Sequence, residues 1–429
     1  MLPCGASMAS RDPASAATGA RGGDPAGRRP RSTNRSILFV VFTTILIDFV
    51  AFSVLIPVLP LYARRLGATP AEVGLILAIH ALAQLLFLPA WGWVSDRIGR
   101  RPVILVSLLG TVAAFAVLAA VDTILWIYVA RALSGFFAAS VGTAQAVVTD
   151  VTSEEERAGG MGLIGASVGL GMVLGPVLGG GLATVDERAP FYAVAMLAAA
   201  NFALAWVHLP ETRDTTGGER RRLRELAVLL IPAPLRLLAA VHDVRVALYL
   251  IVFLQVFTAL GVLESMAPLL LSMRYGTAEL GVALIFAWFG AVFVFTQGVA
   301  LRPLVARFGE PALVMLGLFG MALGIGAVAV APSEGSFYAI VTVIGAGMGA
   351  AFPTFTSLFT RACDTEQAGE LLAESQAMAM TGRMLGPWAA GLAMERFAPA
   401  APFWAAAVLV IAAFALIGAT RHRMLGEAT

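Results

Sequence analysis

Two acids and two arginines stand inside long apolar runs, and these are the residues that could do chemistry. Asp48 lies within the apolar run 36–61, in its segment Leu46 to Pro60, about 12 residues from the start of the run, which at 1.5 Å per residue is roughly 18 Å deep. A carboxylate at that depth costs about 2.5–3.5 kcal/mol on insertion scales, so it is a functional residue by default. Losing its charge by taking a proton relieves that cost, which makes Asp48 a candidate proton carrier. The opposing reading is a carboxylate permanently paired with Arg131. Glu264 stands in Leu263-Glu264-Ser265-Met266-Ala267-Pro268, with the same chemistry open to it, or solvation near the membrane surface instead. Arg131 cannot give up its charge and would bias the proton affinity of a neighbouring carboxylate. Arg383 could pair with Glu264 or Glu374, or bind an anionic group of a substrate. His80 and Gln84 share one helical face, four residues apart. Gln255 and Gln297 add further polar groups, and a lone His in a helix also fits a purely structural role.

A second set lies at the ends of these runs. The string Gly92-Trp-Val-Ser-Asp96-Arg97-Ile-Gly99-Arg100-Arg101 reads as a tight turn whose glycines permit close helix approach. Its Asp can hydrogen-bond a helix N-terminus. Asp150, followed by Glu154, Glu155, Glu156 and Arg157, reads either as part of a charge network with Arg97 or Arg100 or as a helix cap. Gly171, Gly175, Pro176, Gly179 and Gly180 form a small-residue face with a bend, suited to close helix packing.

The elements that must position these groups follow from composition. Of 429 residues, 59% are hydrophobic and 13% charged, where a soluble domain carries about 25% charge. An ordinary globular protein is excluded. With 29 basic against 27 acidic residues, the net charge of +2 is no basic footprint for nucleic acid, and no nucleic-acid partner is expected. Mean hydropathy is +0.84. Twelve stretches are long enough to span a bilayer: 36–61, 71–91, 102–121, 124–148, 158–181, 189–208, 246–271, 278–300, 311–331, 336–359, 371–394 and 401–420. They predict an all-α integral membrane protein of twelve transmembrane helices. Residues 1–35, rich in Ala, Gly, Pro, Ser and Arg, read as a disordered cytoplasmic tail, with translation starting at Met1 or Met8. The expected units are a six-helix bundle 36–208, a cytoplasmic loop 209–245, a second bundle 246–420 and a tail 421–429. Arginine gathers in the loops on one side, against Arg64, Arg65, Arg188, Arg274 and Arg396 on the other, which predicts both termini in the cytoplasm. Cys4 and Cys363 then face a reducing compartment, so neither a disulfide nor a metal site is expected. The central loop holds the basic run 219–226, suited to an amphipathic helix on the membrane surface or to a solvated linker.

The halves repeat. Gly171-Met-Val-Leu-Gly175-Pro176 returns as Gly382-Arg383-Met-Leu-Gly386-Pro387, and Arg97-Ile-Gly99 as Arg307-Phe-Gly309 with Ala306 where the Asp would be. Thr149 and Ala158-Gly159 match Thr360 and Ala368-Gly369, and Pro60 matches Pro268. Parallel six-helix repeats are a transporter architecture with the binding site near the midplane, between the halves. Asp48, Arg131 and Glu264 fall on the first, fourth and seventh spans. The third, sixth, ninth and twelfth carry no interior charge, as lipid-facing helices should.

The Gly92–Arg101 string resembles the loop signature of the major facilitator superfamily, and the resemblance extends over 36–420. It implies the major facilitator fold, two parallel-related six-helix bundles with spans 1, 4, 7 and 10 lining the cavity. The Gly171–Gly180 string resembles that family's antiporter motif, and Arg131-Ala-Leu-Ser-Gly135 its fourth-helix motif, where the Arg is tied to proton coupling. Asp48 with Pro57 and Pro60 is similar to the first helix of tetracycline/proton antiporters and of vesicular monoamine transporters. Leu263-Glu264 with Pro268 is similar to the seventh helix of the latter. Asp150 and its acidic cluster resemble tetracycline exporters. The resemblance implies a drug/proton antiporter of the plasma (inner) membrane, exporting a hydrophobic cationic compound by alternating access. A monomer that uses the proton gradient, with no cofactor, is expected. Two alternatives remain: an uptake symporter on the same fold, and a non-transporting receptor. No nucleotide loop, metal cluster or nucleophile elbow points to an enzyme.

Overall fold

The structure is a computed structural model in which residues 31–213, 244–361 and 365–424 are described. Cys4, Cys363 and the 219–226 run lie outside them. The first half holds α1 (Arg31–Arg65), α2 (Pro70–Ile98), α3 (Arg100–Ala120), α4 (Ile124–Phe136), α5 (Ser140–Val151), α6 (Glu154–Ala183) and α7 (Ala189–His208). The second holds α8 (Val244–Tyr275), α9 (Glu279–Phe295), a π-helical turn (Thr296–Ala300), α10 (Leu301–Phe308), α11 (Glu310–Val330), α12 (Glu334–Arg361), α13 (Thr365–Arg396) and α14 (Ala401–Met424). α1 starts at Arg31, inside the stretch assigned to the tail, because neither Gly nor Pro lies between Arg31 and the apolar run to stop it.

Eleven described spans are long and apolar enough to cross a membrane, α4 with α5 counting as one and α9 to α10 as another. The remaining expected span, α13, is long enough but carries Glu374 and Arg383. Both charges are half-buried there, where α13 packs against α8 and α2, helices of both halves.

Glycines set that packing, and they set it twice. A Cβ on Gly171 would lie 2.5 Å from Phe49 Cβ, and one on Gly175 2.9 Å from the Val50 carbonyl, so α6 rests directly on α1. In the second half a Cβ on Gly382 would meet the Leu254 carbonyl at 2.8 Å, and one on Gly386 the Thr258 carbonyl at 2.3 Å, so α13 rests on α8 in the same way. The sequence repeat is thus a repeat of one helix–helix contact.

The halves meet along two seams. In one, a Cβ on Gly74 of α2 would strike the Pro387 carbonyl of α13, and one on Gly391 the Pro70 carbonyl. In the other, α6 and α9 run antiparallel, with Gly180 against Ala283, Met172 against Gly290 and Gly169 against Val294. Beyond Gly169 the second seam opens: Cβ positions on Gly165, Gly162 and Gly298 meet nothing within 4 Å. At the other end Arg65 ties the halves together, pairing with Glu187 at 2.9 Å and with Glu279 across the seam at 2.5 Å. The Ala71 N–H donates to Glu395 there, 3.1 Å away. The molecule is therefore shut at its Arg65 end and parted toward its Gly99 end.

Candidate transport site

The fourth span is broken, where a continuous helix over 124–148 is expected from hydropathy. Phe137, Ala138 and Ala139 separate α4 from α5. A Cβ on Gly110 of α3 would fall 2.1 Å from the Phe137 ring, so the ring occupies the space that glycine leaves. Ser107 Oγ satisfies the freed backbone, donating to the Phe137 carbonyl and accepting from the Ala139 N–H at 3.3 Å. The break makes Ser140 the first residue of α5, and its hydroxyl donates to Asp48 Oδ2. The positive end of the α5 dipole therefore lies beside the acid. Among the described residues no ion pair joins Asp48 to Arg131; Ser140 holds the carboxylate in place of the expected alternative partner.

Arg131 is 4% exposed. Its Nη1 lies 3.5 Å from Ser134 Oγ, at the limit of a hydrogen bond, and its buried Nε has no hydrogen-bond partner. His80 Nδ1 is 2.8 Å from the same Ser134 hydroxyl. The spacing Arg131 to Gly135 has a steric cause: a Cβ on Gly135 would stand 2.3 Å from the His80 carbonyl. Glycine brings α4 against α2, and that contact assembles the His80–Ser134–Arg131 cluster. Gln84 lies one turn along α2, half-buried.

Arg383 reaches Glu264 at 3.1 Å, so of the partners left open for it the structure selects Glu264. The Glu264 side chain is 11% exposed, which removes the alternative of solvation at the surface. The Arg383 guanidinium also lies 4.9 Å from the Phe52 ring and 5.8 Å from the Phe257 ring. Phe52 stands one turn from Asp48 on α1, so one face of α1 presents both the acid and the ring. Gln255 Oε1 is buried with no hydrogen-bond partner. Gln297 is exposed, on the π turn beside the open part of the α6–α9 seam. The aromatic residues Phe52 and Phe257 carry no sequence signal of their own, and only the fold brings them to Arg383.

At the α2–α3 junction the structure corrects two expectations. Gly92 makes no close approach, since a Cβ there meets nothing within 4 Å; it lies inside α2, which runs on to Ile98. Asp96 does not cap α3. It pairs with Arg100 at 2.8 Å and with Arg213 at 2.5 Å, while Arg100 reaches Asp150 at 3.3 Å and Ser95 at 3.1 Å. The cap comes from Glu211, after α7. Its carboxylate accepts the N–H groups of Arg100 at 2.8 Å and Arg101 at 3.2 Å, as well as those of Thr212 and Arg213. A Cβ on Gly99, at φ +103°, would overlap that carboxylate at 2.2 Å, so this glycine is needed twice over. Sequence reasoning missed Glu211 and Arg213; an acid and a base just past the sixth span, at the same membrane face as the loop motif, were the available signal. Arg97 lies over the Trp93 ring at 4.2 Å, and Arg101 donates to the Trp206 carbonyl at 2.7 Å.

Within the antiporter-like string, Gly171, Gly175 and Gly179 hold α6 on α1, and Gly180 holds it on α9 of the other half. Ser53 Oγ stitches the first contact by donating to the Gly171 carbonyl at 2.7 Å. Pro176 sits inside α6.

Comparison with known proteins agrees with this fold. The Major Facilitator Superfamily family model matches residues 41–373 and 275–426. The chain is 30% identical to the class C tetracycline resistance protein of Escherichia coli, over 82% of this chain and 88% of that one. It is 31% identical to the class G protein of Vibrio anguillarum, over 82% and 89%. It is 29% identical to the quinolone resistance protein NorA of Staphylococcus aureus, over 47% and 54%. Among solved structures, a bacterial homologue of the human lysosomal transporter Spinster has the same fold, with a TM-score of 0.74 over 93% of this chain and 99% of that one, at 15% identity. The fold and these relatives mark the chain as a multi-pass membrane transporter, not an enzyme. The chain belongs to the major facilitator superfamily.

Proposed function

We propose that this protein exports drugs from a bacterial cell in exchange for protons. The observation that carries the reading is Asp48, a mid-membrane carboxylate held by the Ser140 hydroxyl beside a broken helix. Such an acid can be emptied and filled by a proton without breaking an ion pair. Tetracycline and quinolone resistance relatives support the substrate class, a hydrophobic compound carrying a cationic group. The arginine-rich Gly99 end faces the cytoplasm in this reading, with both termini, so the parted seam opens inward. Deprotonated Asp48 binds the cationic group of the substrate. The halves then rock about the midplane, and protonation from outside releases it. Arg131, its Nε without a partner, keeps a fixed positive charge in the bundle. The Asp96–Arg100–Asp150 network with Arg213 holds the α2–α3 junction rigid through the cycle.

The test is transport in inverted membrane vesicles energised with a proton gradient. Wild-type protein accumulates tetracycline or a quinolone, and Asp48→Asn abolishes that accumulation while leaving the protein folded. Asp48→Asn accumulating drug at the wild-type rate would refute the coupling role. Drug moving in the opposite direction in wild-type vesicles would replace export by uptake symport.

A further inference from the structure

Glu264 and Arg383 neutralise one another in the interior of the membrane, and the arginine lies against two aromatic rings from different halves, Phe52 of α1 and Phe257 of α8. The aromatic surface continues away from the pair. Phe253 and Phe257 stack at 5.9 Å, and Phe352 lies 5.6 Å and 5.7 Å from them. A small apolar cavity, with room for about one water, lies against these rings, lined by Val252, Val256, Leu318, Met321 and Met348 among others, so a ligand's ring seats there by moving these side chains apart.

A ligand of one charge is poorly matched to this place. A cation that takes Glu264 strands the Arg383 guanidinium, which cannot lose its charge. Breaking one partner from a buried pair is strongly unfavourable, and a cation–π contact to Phe52 or Phe257 offsets only part of it. A ligand with both a basic and an acidic group replaces each partner of the pair and strands neither. We infer that the Glu264–Arg383 pair is a subsite for amphoteric aromatic compounds. The basic group of the ligand goes to Glu264, its acid to Arg383, and its planar ring lies on Phe257 and its neighbours. Because Phe52 belongs to one half and Phe257 to the other, a ligand seated there touches both. This inference deepens the export reading and rests on it.

The test is binding to the purified full-length protein in detergent, read by quenching of tryptophan fluorescence. Three probes are used: the amphoteric quinolone ciprofloxacin, its methyl ester, which lacks the acid, and the lipophilic monocation tetraphenylphosphonium. Wild type is expected to bind ciprofloxacin about tenfold or more tighter than the ester, the yield of one charge-assisted contact. Arg383→Gln is expected to bring the two probes to a common affinity, weakening ciprofloxacin and strengthening the ester, whose basic group no longer strands a guanidinium, with Arg383→Lys between. A loss of acid and ester alike would assign Arg383 a purely structural role and overturn the subsite. If Arg383→Gln does not fold, the wild-type comparison of acid with ester still decides, and equal affinities refute it. Tetraphenylphosphonium binding without ciprofloxacin binding overturns the subsite and leaves drug export standing, whereas binding of none of the three removes both.

Discussion

The open part of the α6–α9 seam predicts a residue whose substitution leaves this conformation intact yet slows transport. The seam pairs Gly180 with Ala283, Met172 with Gly290 and Gly169 with Val294. Moving one turn further along both helices, the same register pairs Gly165 with Gly298, and both now face open space. In the outward-facing state of the proposed cycle the Gly99 end closes and brings these two together. The closed part of the seam shows what a side chain would meet: a Cβ on Gly180 lies 2.3 Å from Ala283 Cβ and 3.0 Å from the Glu279 carbonyl. Gly165→Ala therefore costs nothing here, and in a helix it gains about 0.5–1 kcal/mol from reduced backbone freedom. That gain is common to both states and cancels in the transport equilibrium. The overpacking cost falls on the outward-facing state alone, about 1–3 kcal/mol. At 1.4 kcal/mol per tenfold, that state falls in population by roughly 5- to 150-fold. The expected result is an unchanged or raised melting temperature, unchanged drug binding from the cytoplasmic side and drug efflux reduced at least fivefold. The pair Gly165→Cys/Gly298→Cys should cross-link during turnover and be locked by the link. Wild-type efflux by Gly165→Ala, together with failure of the pair to cross-link, would show that this seam does not close.

Other outcomes follow from single contacts. Ser140→Ala removes the hydroxyl that holds Asp48 and should slow proton-driven uptake into inverted vesicles several-fold without abolishing it; total loss would mean the hydroxyl itself carries the proton. Gly99→Ala forces a side chain into φ +103° and into the Glu211 carboxylate. It should lower thermal stability by more than Glu211→Ala, whose lost cap is worth about 1 kcal/mol, and the reverse order would refute the capping assignment. Asp96→Asn loosens both Arg100 and Arg213 and should slow transport while leaving drug affinity nearly intact, measured by equilibrium binding; a large affinity loss would move Asp96 into the drug site. Arg65→Gln frees Glu279 across the seam and should favour the state open at the Arg65 end, seen as faster labelling of a cysteine placed near Glu395.

Much of the site was legible before folding because lipid makes charge conspicuous. Asp48, Arg131, Glu264 and Arg383 stand out against apolar neighbours, since each must have a reason to be where hydration is lost. The glycine strings were legible for a related reason: small residues at a spacing of four mark helix contact. Other features left no such mark. The break between α4 and α5 lies in Phe137, Ala138 and Ala139, none of which breaks a helix, and it depends on Gly110 and Ser107 of another helix. Glu211 and Arg213 looked like ordinary loop charges.

The membrane-spanning class, the twofold repeat and the identity of the residues that carry charge into the bilayer are all written in the order of residues along the chain. These are properties of windows of about twenty residues, set by the transfer of each segment from water to lipid. Tertiary structure decided which charge meets which. It gave Asp48 to Ser140 and not to Arg131, chose Glu264 for Arg383, and replaced Asp96 by Glu211 as the cap of α3. Those choices turn on distances of a few ångströms between helices far apart in the chain, set by glycines that let one backbone touch another, and no local window contains both partners.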